Sequence, residues 1–193
     1  MSEADRASRP GGRTARVRAE VLAAVVAELA EHGYDGLTMD GVAARSGVHR
    51  TTVYRRWKSV AGLLVDLLDS GATDDWAPAD TGTLEGDLIA LNREVYESLT
   101  IEPSITRAVI AASFRTPEAG AALREFWADR YRRSGVVVQR AIDRGEVPAT
   151  TDAYAVCVAA TAPIYHQLLL LRQPMTAAES DRYARAAARL GSS

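Results

Sequence analysis

The residues best suited to chemistry in this sequence are cationic and hydroxyl-bearing side chains concentrated between positions 38 and 58. From Gly41 to Lys58 there are five Lys or Arg residues and no acidic residue, so the local charge is +5. Arginine can bond guanine bidentately in the DNA major groove, the threonine methyl can contact the thymine methyl, and hydroxyls can bond phosphate. The stretch therefore indicates a DNA-binding helix; the alternative is a solvated basic face on a core helix.

Two short helices joined at a glycine are expected to position these side chains. Thr38 is a suitable N-cap for the first helix. The inward-facing residues of that helix share the spacing of one helical face: Met39, Val42 and Ala43. Gly47 ends it, because a residue without a Cβ enters the left-handed conformation at little cost. A second helix then begins near Val48, with Val53 and Trp57 on its apolar side. The pattern predicts a helix-turn-helix.

The turn and second helix carry a recognisable pattern, namely Gly47-Val48, the run Val53-Tyr54-Arg55-Arg56-Trp57, and Ser59 opening a further helix. This pattern resembles the DNA-binding domain of the tetracycline-repressor (TetR) family over about residues 14–70. The resemblance implies that His49, Arg50, Thr51 and Thr52 face bases or neighbouring phosphates. It also implies that Tyr54 and Arg55 lie against the DNA backbone. The full set of candidate DNA-binding residues is Thr38, Arg45, His49, Arg50, Thr51, Thr52, Tyr54, Arg55 and Lys58.

One position departs from the family pattern. After the tryptophan the family usually continues Pro-Ser-Lys, and the lysine contacts a phosphate at the start of the fourth helix. Here the order is Lys58-Ser59-Val60. Whether Lys58 supplies the contact that is missing at Val60 is left open.

Composition sets the class of protein and its division into parts. The chain has 193 residues, 47% hydrophobic and 25% charged, which is typical of a globular protein with a substantial core. Residues 1–58 carry a net charge of +3 and the remainder −5. We predict a flexible arm at 1–12, a DNA-binding domain at 13–58 and an effector-binding and dimerisation domain at 59–193. A single cysteine, Cys157, excludes a disulfide within the chain and favours a cytoplasmic location.

The fold class predicted from these patterns is all-α. A first helix at about 14–32 ends at Gly33, and Ser59 caps a fourth helix to about Ser70 that links the three-helix head to the body. Beyond a loop we expect only further helices, at about 83–100, 104–114, 117–145, 152–172 and 177–190. Thr116-Pro117 begins the third of these, Gly145 closes it, and Thr176 with Glu179 forms a capping box for the last.

The span Ala153 to Leu171 has no charged residue and is long enough to cross a membrane. It contains Pro163 and His166 and lacks flanking positive clusters, so a buried interface helix explains it better and no membrane partner is expected. In the TetR family the last two long helices form the four-helix bundle of the dimer. The resemblance therefore implies a homodimer through these helices, with Leu168 to Leu171 in its interface.

Aromatic and polar residues mix in the predicted body in the way small-molecule sites require. The candidate ligand-binding residues are Tyr96, Phe114, Trp127, Tyr131, Tyr165 and His166. An amphipathic bundle uses the same residues for its core or dimer interface, and it is the family resemblance that implies an effector cavity here.

Catalytic and metal-binding motifs do not account for this chain. Its three histidines lie in different elements, and we find no nucleophile elbow, phosphate-binding glycine loop, zinc motif or cysteine pair. We therefore expect no enzyme, cofactor or metal. The function predicted is a dimeric repressor that a small, largely apolar ligand releases from an inverted-repeat operator in double-stranded DNA. The alternative is a helical sensor or interaction protein that has lost sequence-specific DNA binding.

Overall fold

The computed structural model of the protein describes residues 10–72 and 74–191. The fold is all-α, as predicted, and no β-strand occurs within these two ranges. The helices are α1 (Pro10–Gly36), α2 (Met39–Ser46), α3 (Arg50–Trp57), α4 (Val60–Ala72), α5 (Leu84–Thr100), α6 (Ile105–Ser113), α7 (Pro117–Ser134), α8 (Val136–Asp143), α9 (Ala153–Tyr165) and α10 (Ala177–Gly191), with a π-helical turn at His166–Leu170 after α9.

The predicted N-terminal arm is only partly within this description. Its residues 1–9 lie outside the described residues, and residues 10–12 belong to the first turn of α1. Gly33 leaves the helical conformation with φ 65° and ψ −171°, where the sequence predicted the end of the helix, and a further short turn reaches Gly36.

The chain divides into two compact units. Among the described residues, the N-terminal unit comprises 10–69 together with 108–122, and the C-terminal unit comprises 70–72, 74–107 and 123–191. This division differs from the sequence-based boundary at residue 58, since most of α4 and the segment 108–122 join the N-terminal unit.

The core of the N-terminal unit forms where α2 packs on both α1 and α3. Its fully buried side chains include Val21 and Val25 from α1, Val42 from α2 and Val53 from α3. Each comes from the apolar face that the sequence spacing predicted. The helix-turn-helix is therefore held by its own core.

A carboxylate on α4 ties three helices of this unit together. Asp66 Oδ2 accepts a hydrogen bond from the indole Nε1 of Trp57 at 2.7 Å, and its Oδ1 accepts one from Arg18 Nε at 2.8 Å. Trp57 is the last residue of α3 and is 5% exposed, and Arg18 belongs to α1. Because the indole N–H and the carboxylate satisfy each other, the end of α3 is fixed against both α1 and α4.

Gly62 lets α4 approach α3 closely. A Cβ at this position would lie 2.1 Å from the carbonyl oxygen of Trp57, far inside van der Waals contact. Nothing in the local sequence distinguishes this glycine from one that merely weakens a helix, so its role is visible only in the packed structure.

The C-terminal unit is built around α5, α9 and α10, which pack on one another, with α8 against α5 and α9. Small residues on α10, Ala184 and Ala187, are buried and allow this close packing. Asn92 on α5 is fully buried, and its Nδ2 donates to the carbonyl oxygens of Ala160 at 3.0 Å and Ser180 at 2.8 Å. One side chain thus joins the three central helices. Cys157 is buried in this core, as expected, and burial raises the pKa of its thiol to about 12.

Two of the predicted helices differ in the structure. The single helix predicted at 117–145 is divided at Gly135, whose ψ of −17° tightens the backbone between α7 and α8. Gly145, with φ 73°, closes α8 as predicted, because Glu146 N donates to Ala141 O and Gly145 N to Ile142 O. The helix predicted at 152–172 ends as α9 at Tyr165 and continues only as the π-helical turn.

The predicted capping box of α10 is confirmed. Glu179 N donates to Thr176 Oγ1 at 3.3 Å, and Thr176 N donates to the Glu179 carboxylate at 2.8 Å. This backbone hydrogen bond is the main cause of the lowered pKa of Glu179. Thr116 also caps α7 as predicted, accepting from Ala119 N at 3.2 Å.

Two arginines of α7, which we call the arginine clamp, hold the chain that follows α4. Arg133 donates to the carbonyl oxygens of Gly71 at 3.1 Å, Asp74 at 3.0 Å and Trp76 at 3.0 Å. Arg130 stacks over the Trp76 ring, 4.1 Å from its centroid. Trp76 is thus held between this clamp and Glu94, which accepts from its indole N–H at 2.9 Å.

We expect Gly62→Ala to lower the free energy of unfolding by about 1–3 kcal/mol, because the new methyl group meets a backbone carbonyl that cannot rotate away. The matched control is Gly12→Ala on α1, where a Cβ would meet no atom within 4 Å. Alanine is favoured over glycine inside a helix, so this variant should be neutral or slightly more stable. Thermal unfolding at equal protein concentrations measures both, and equal melting temperatures would contradict the close-approach role of Gly62.

Candidate nucleic-acid interface

The helix-turn-helix has the local geometry that its sequence predicted. Thr38 has extended backbone angles, and its Oγ1 accepts from Gly41 N at 3.0 Å, which makes it the N-cap of α2. Gly47 adopts the left-handed conformation, with φ 67° and ψ 8°. The second helix begins at Arg50 and not near Val48, because His49 is extended and its carbonyl accepts from Thr52 N at 2.8 Å.

The outer side of α3 presents the predicted base-facing residues to solvent. His49, Arg50 and Thr51 are exposed and Thr52 is partly exposed, whereas Val53 and Trp57 are buried beneath them. His49 Nδ1 lies 2.9 Å from Thr51 Oγ1, so these two side chains form one polar group at the start of the helix. The basic and hydroxyl-bearing face is therefore available for contact with DNA.

Arg45 of α2, which is among the predicted DNA-binding residues, is instead bound by acidic residues of α1. Its Nε donates to Glu28 Oε1 at 2.6 Å, and its Nη1 donates to Glu31 Oε1 at 2.8 Å. Glu28 is 7% exposed, and a buried carboxylate requires such a partner. The hydrogen bond from Arg45 also lowers the pKa of Glu31. The structure thus corrects the DNA-binding prediction for Arg45, whose guanidinium joins α2 to α1.

Arg50 and Tyr54 converge on an acidic residue that the sequence analysis passed over. Asp40, in the first turn of α2, accepts a hydrogen bond from the Tyr54 hydroxyl at 2.9 Å, and Arg50 Nε lies 2.9 Å from the same Oδ1. The Arg50 guanidinium also lies over the Tyr54 ring, 5.2 Å from its centroid. Asp40 directly precedes the acid-free stretch, and only the packing of α2 on α3 brings it to these residues.

Lys58 is exposed in the turn between α3 and α4, with a backbone that favours glycine. Its φ is 63° and its ψ −39°, and Ser59 N donates to Trp57 O at 2.7 Å across it, which defines a γ-turn centred on Lys58. A non-glycine residue in this conformation is strained by about 1–3 kcal/mol. The turn projects the lysine from the C-terminal end of α3, and Ser59 caps α4 by accepting from Gly62 N at 3.2 Å.

A groove of about 510 Å³ extends the basic surface from α3 to the start of α1. Arg13, Arg55 and Arg56 line it, together with His49 and Thr52. Arg13, near the start of α1, therefore lies beside the candidate DNA-binding residues His49, Thr52 and Arg55. Three guanidinium groups around one groove suit a DNA phosphate.

Three of the predicted ligand-binding residues form an aromatic cluster in the C-terminal unit. The Trp127 ring lies 5.4 Å from that of Tyr165 and 6.2 Å from that of Tyr131. The Tyr131 hydroxyl lies 3.1 Å from Thr161 Oγ1, which itself donates to Cys157 O. Burial raises the pKa of both tyrosines, so both hydroxyls are neutral at pH 7. Phe126 and Tyr154 complete the cluster at the edges.

The other three predicted ligand-binding residues lie elsewhere. Phe114 is 84% exposed at the end of α6, in the N-terminal unit, so its prediction as a pocket residue is corrected. His166 is exposed at the start of the π-helical turn and does not line the cluster in a single chain. Tyr96 is partly buried and donates its hydroxyl to Met175 O at 3.1 Å, so its polar group already has a partner.

The apolar segment Ala153–Leu170 meets the length and composition of a membrane-spanning helix. In the structure one side of it packs on α5, α8 and α10. Only 28% of its residues are buried in a single chain, so a long apolar face stays open. The exposed face continues into Leu170, which is 75% exposed.

Within residues 10–72 and 74–191, no group of three or more His, Cys, Asp or Glu side chains is arranged to hold a metal ion. The candidate sites described above consist of hydrogen-bonding, cationic and aromatic side chains.

Two family profiles match the chain along most of its length. Residues 21–67 match the profile described as "Bacterial regulatory proteins, tetR family". Residues 78–187, more than half of the chain, match the profile described as "Tetracyclin repressor-like, C-terminal domain". The first covers the helix-turn-helix with its flanking helices, and the second covers α5 to α10 as far as residue 187.

Individual proteins agree with these profiles. An HTH-type transcriptional regulator of Mycobacterium tuberculosis strain H37Rv is 36% identical over 146 residues, which are 75% of this chain and 71% of that protein. The DNA-binding transcriptional repressor TetR of Mycobacteroides abscessus is 32% identical over 155 residues, 79% of this chain and 82% of its own. The crystal structure of the TetR family transcription regulator SCO0332 matches with a TM-score of 0.72 and 28% identity, covering 90% of this chain and 97% of that one. The chain therefore belongs to the TetR family of DNA-binding transcriptional regulators.

Proposed function

We propose that this regulator is a homodimeric, cytoplasmic repressor that binds an inverted-repeat operator and is released from it by a small, largely apolar ligand. As a member of this family it is a transcriptional regulator and not an enzyme. The observation that carries the proposal is the basic, solvent-facing side of α3 above its buried Val53 and Trp57. A relative 32% identical is named a repressor, which supports repression over activation.

The exposed residues of the helix-turn-helix divide into two proposed roles. Arg50, Thr51 and Thr52 lie in the first turn of α3, the part of a recognition helix that contacts base edges. Arg55, with Arg13 and Arg56 around the shared groove, is suited to phosphates, as is Lys58 in its γ-turn. Arg45 is omitted, because Glu28 and Glu31 bind its guanidinium.

Arg50→Ala should weaken operator binding by about 1–3 kcal/mol and relax the preference at one base position, because a bidentate bond to guanine is lost. Arg55→Ala should instead weaken all sequences alike and reduce the salt dependence by about one phosphate contact. Titrations against DNA upstream of the protein's own gene and against an unrelated duplex, across a salt series, measure both effects.

Arg115→Ala is the matched control for these two variants. Arg115 also belongs to the N-terminal unit, but it pairs with Asp35 and lies outside the helix-turn-helix. Removing it lowers the net charge by the same one unit. It should leave the base preference unchanged and should alter the salt dependence of binding by less than about half of one phosphate contact. The assignment of roles fails if Arg55→Ala changes base preference while Arg50→Ala changes only the salt dependence.

The open apolar face of α9 supports the homodimer. Its exposed and partly exposed positions recur at helical spacing along one side: Ala155, Ala159, Ala162 and His166. Small residues there permit a second helix to approach closely, and Leu170 and Leu171 extend the face with 75% and 50% exposure. A twofold dimer presents two copies of α3, which fits half-sites about 34 Å apart or a multiple of that distance.

The double variant Leu169→Asp with Leu170→Asp should be a monomer and should lose operator binding, because four buried charges would meet at the twofold interface. Ile101→Asp is the control, since Ile101 is similarly exposed, at 64%, but lies at the end of α5. It should remain a dimer with normal binding. Sedimentation and operator titration check this, and tight operator binding by a proven monomer would refute the dimer proposal.

The aromatic cluster is the proposed ligand site of the C-terminal unit. Trp127, Tyr131 and Tyr165 supply apolar ring faces, and two neutral tyrosine hydroxyls supply polar groups that can orient a ligand. A ligand that enters here must separate rings that now contact one another. Its binding would therefore shift α7, which carries Trp127 and Tyr131.

The arginine clamp offers a route from that site to α4. Arg130 and Arg133 follow Trp127 by about one and two turns on α7, and both donate to the carbonyl oxygen of Gly71 near the C-terminal end of α4. A shift of α7 would thus pull on α4, which continues to the Asp66 contacts with Trp57 at the end of α3. A ligand preferring the shifted arrangement a hundredfold would contribute about 2.7 kcal/mol of coupling, and DNA would weaken ligand binding by the same factor.

To test this coupling, small apolar compounds are first screened for those that quench the tryptophan fluorescence of the wild type. A compound is kept if the Trp127→Phe variant no longer shows this quenching. A compound that passes should weaken operator binding of the wild type by about a hundredfold. Arg133→Gln should still bind the compound but lose most of this response. The control Arg132→Gln, one residue away on the same helix and 73% exposed, should keep it. A saturating compound that leaves wild-type operator affinity unchanged would disprove the switch while leaving DNA binding intact.

A further inference from the structure

The carboxylate of Asp40 contacts two side chains of α3, Arg50 and Tyr54, at the same time. One oxygen, Oδ1, accepts from the Tyr54 hydroxyl and lies 2.9 Å from Arg50 Nε. The Tyr54 ring lies under the Arg50 guanidinium at 5.2 Å. Arg50 is thus held at its Nε edge by a carboxylate and on its face by an aromatic ring.

Stability does not explain this arrangement. The side chains of Arg50 and Asp40 are 65% and 52% exposed, and exposed ion pairs contribute little to folding. By contrast, Arg45 in the same motif pairs with the buried Glu28, where the ion pair does serve the fold. Asp40 lies in the first turn of α2, where a negative charge favours the helix. That position does not account for its contacts with both Arg50 and Tyr54, and an acidic side chain on a surface that binds phosphates opposes DNA binding in general.

We propose that Asp40 is a positioning residue for base recognition, which acts by orienting Arg50. With Nε bound to Asp40, the two Nη groups stay free, and they can donate side by side to the O6 and N7 atoms of guanine. The carboxylate and the ring together restrict the guanidinium before DNA arrives, so less conformational freedom is lost on binding. This inference rests on the proposed base contact of Arg50.

The same geometry reassigns Tyr54. A phenol has one proton, and Tyr54 donates it to Asp40. While this bond holds, the hydroxyl cannot donate to a phosphate, so in this arrangement Tyr54 supports Arg50 and does not make the phosphate hydrogen bond that the family resemblance implies. The negative charge of Asp40 additionally disfavours phosphates that are not offset by a correct guanine contact. Asp40 should therefore raise specificity at the cost of general affinity.

The test selects preferred sites from a pool of randomised duplexes with the full-length wild type, then titrates variants on the selected duplex and on a duplex changed at the guanine. Asp40→Ala should reduce discrimination at that one position by about tenfold and leave or increase affinity for unrelated DNA. Asp40→Asn should keep part of the discrimination, because its amide oxygen can still accept from the Tyr54 hydroxyl while the ion pair with Arg50 is lost. Adding Asp40→Ala to Arg50→Ala should cause no further loss of discrimination.

Asp35→Ala is the matched control, since it removes the same charge from an exposed acid of the N-terminal unit that pairs with Arg115 instead. It should not change discrimination. Tyr54→Phe provides an independent check: the salt dependence of binding should equal that of the wild type, because no phosphate bond is lost. Melting temperatures confirm that each variant is folded.

The possible outcomes distinguish a failure of the proposed base contact of Arg50 from a failure of the positioning role of Asp40. If Arg50→Ala keeps full discrimination, the base contact of Arg50 is wrong. If Arg50→Ala loses discrimination but Asp40→Ala keeps it, or if Asp35→Ala behaves like Asp40→Ala, the positioning role of Asp40 is overturned. A salt dependence lowered by one contact in Tyr54→Phe would likewise overturn it.

Discussion

The carboxylate of Asp66 joins the three helices whose relative placement decides whether α3 can enter a DNA groove. It binds the indole of Trp57 at the end of α3 and the guanidinium of Arg18 on α1, while its own helix is α4. Gly62 allows α4 to lie directly against the carbonyl of Trp57. The recognition helix is therefore anchored at its C-terminal end to the helix that leads to the rest of the chain, and a movement of α4 cannot leave α3 unaffected.

Arginines that look equivalent along the helix-turn-helix have different roles in the structure. Arg45 is bound to α1 through Glu28 and Glu31 and belongs to the fold. Arg50 is exposed but restrained by Asp40 and Tyr54, which suits a group that must meet one base in one orientation. Arg55 lines an open groove, which suits a phosphate. The local charge of +5 thus overstates the charge available for DNA, because Arg45 is bound by Glu28 and Glu31, and the roles proposed for Arg50 and Arg55 differ from each other.

The C-terminal unit combines a tightly packed core with two features of α7, the aromatic cluster and the arginine clamp. Asn92 binds the carbonyl oxygens of Ala160 and Ser180 at the centre, which fixes α5 against α9 and α10. The rings of Phe126 and Tyr165 meet the Trp127 ring edge to face, and this cluster is the ligand site proposed above. The arginine clamp lies on α7 and donates hydrogen bonds to the backbone carbonyl of Gly71 at the end of α4. These hydrogen bonds therefore depend on the position of α7. If a ligand enters the aromatic cluster as proposed above, a shift of α7 would reach α4 while the core around Asn92 stays in place.

The sequence by itself determined the all-α class, the helix-turn-helix and most helix ends, since caps such as Thr38 and stops such as Gly47 act through bonds within a few residues. The buried faces followed too, because helical spacing records them. The tertiary structure alone decided which polar groups are partners: Tyr54 and Asp40 are 14 residues apart, Arg45 and Glu28 are 17 apart, and Phe114 became exposed. Periodicity reports only which side of a helix faces inward. Which polar side chains become hydrogen-bond or ion-pair partners depends on the distances between helices. Those distances are set only when the whole core packs.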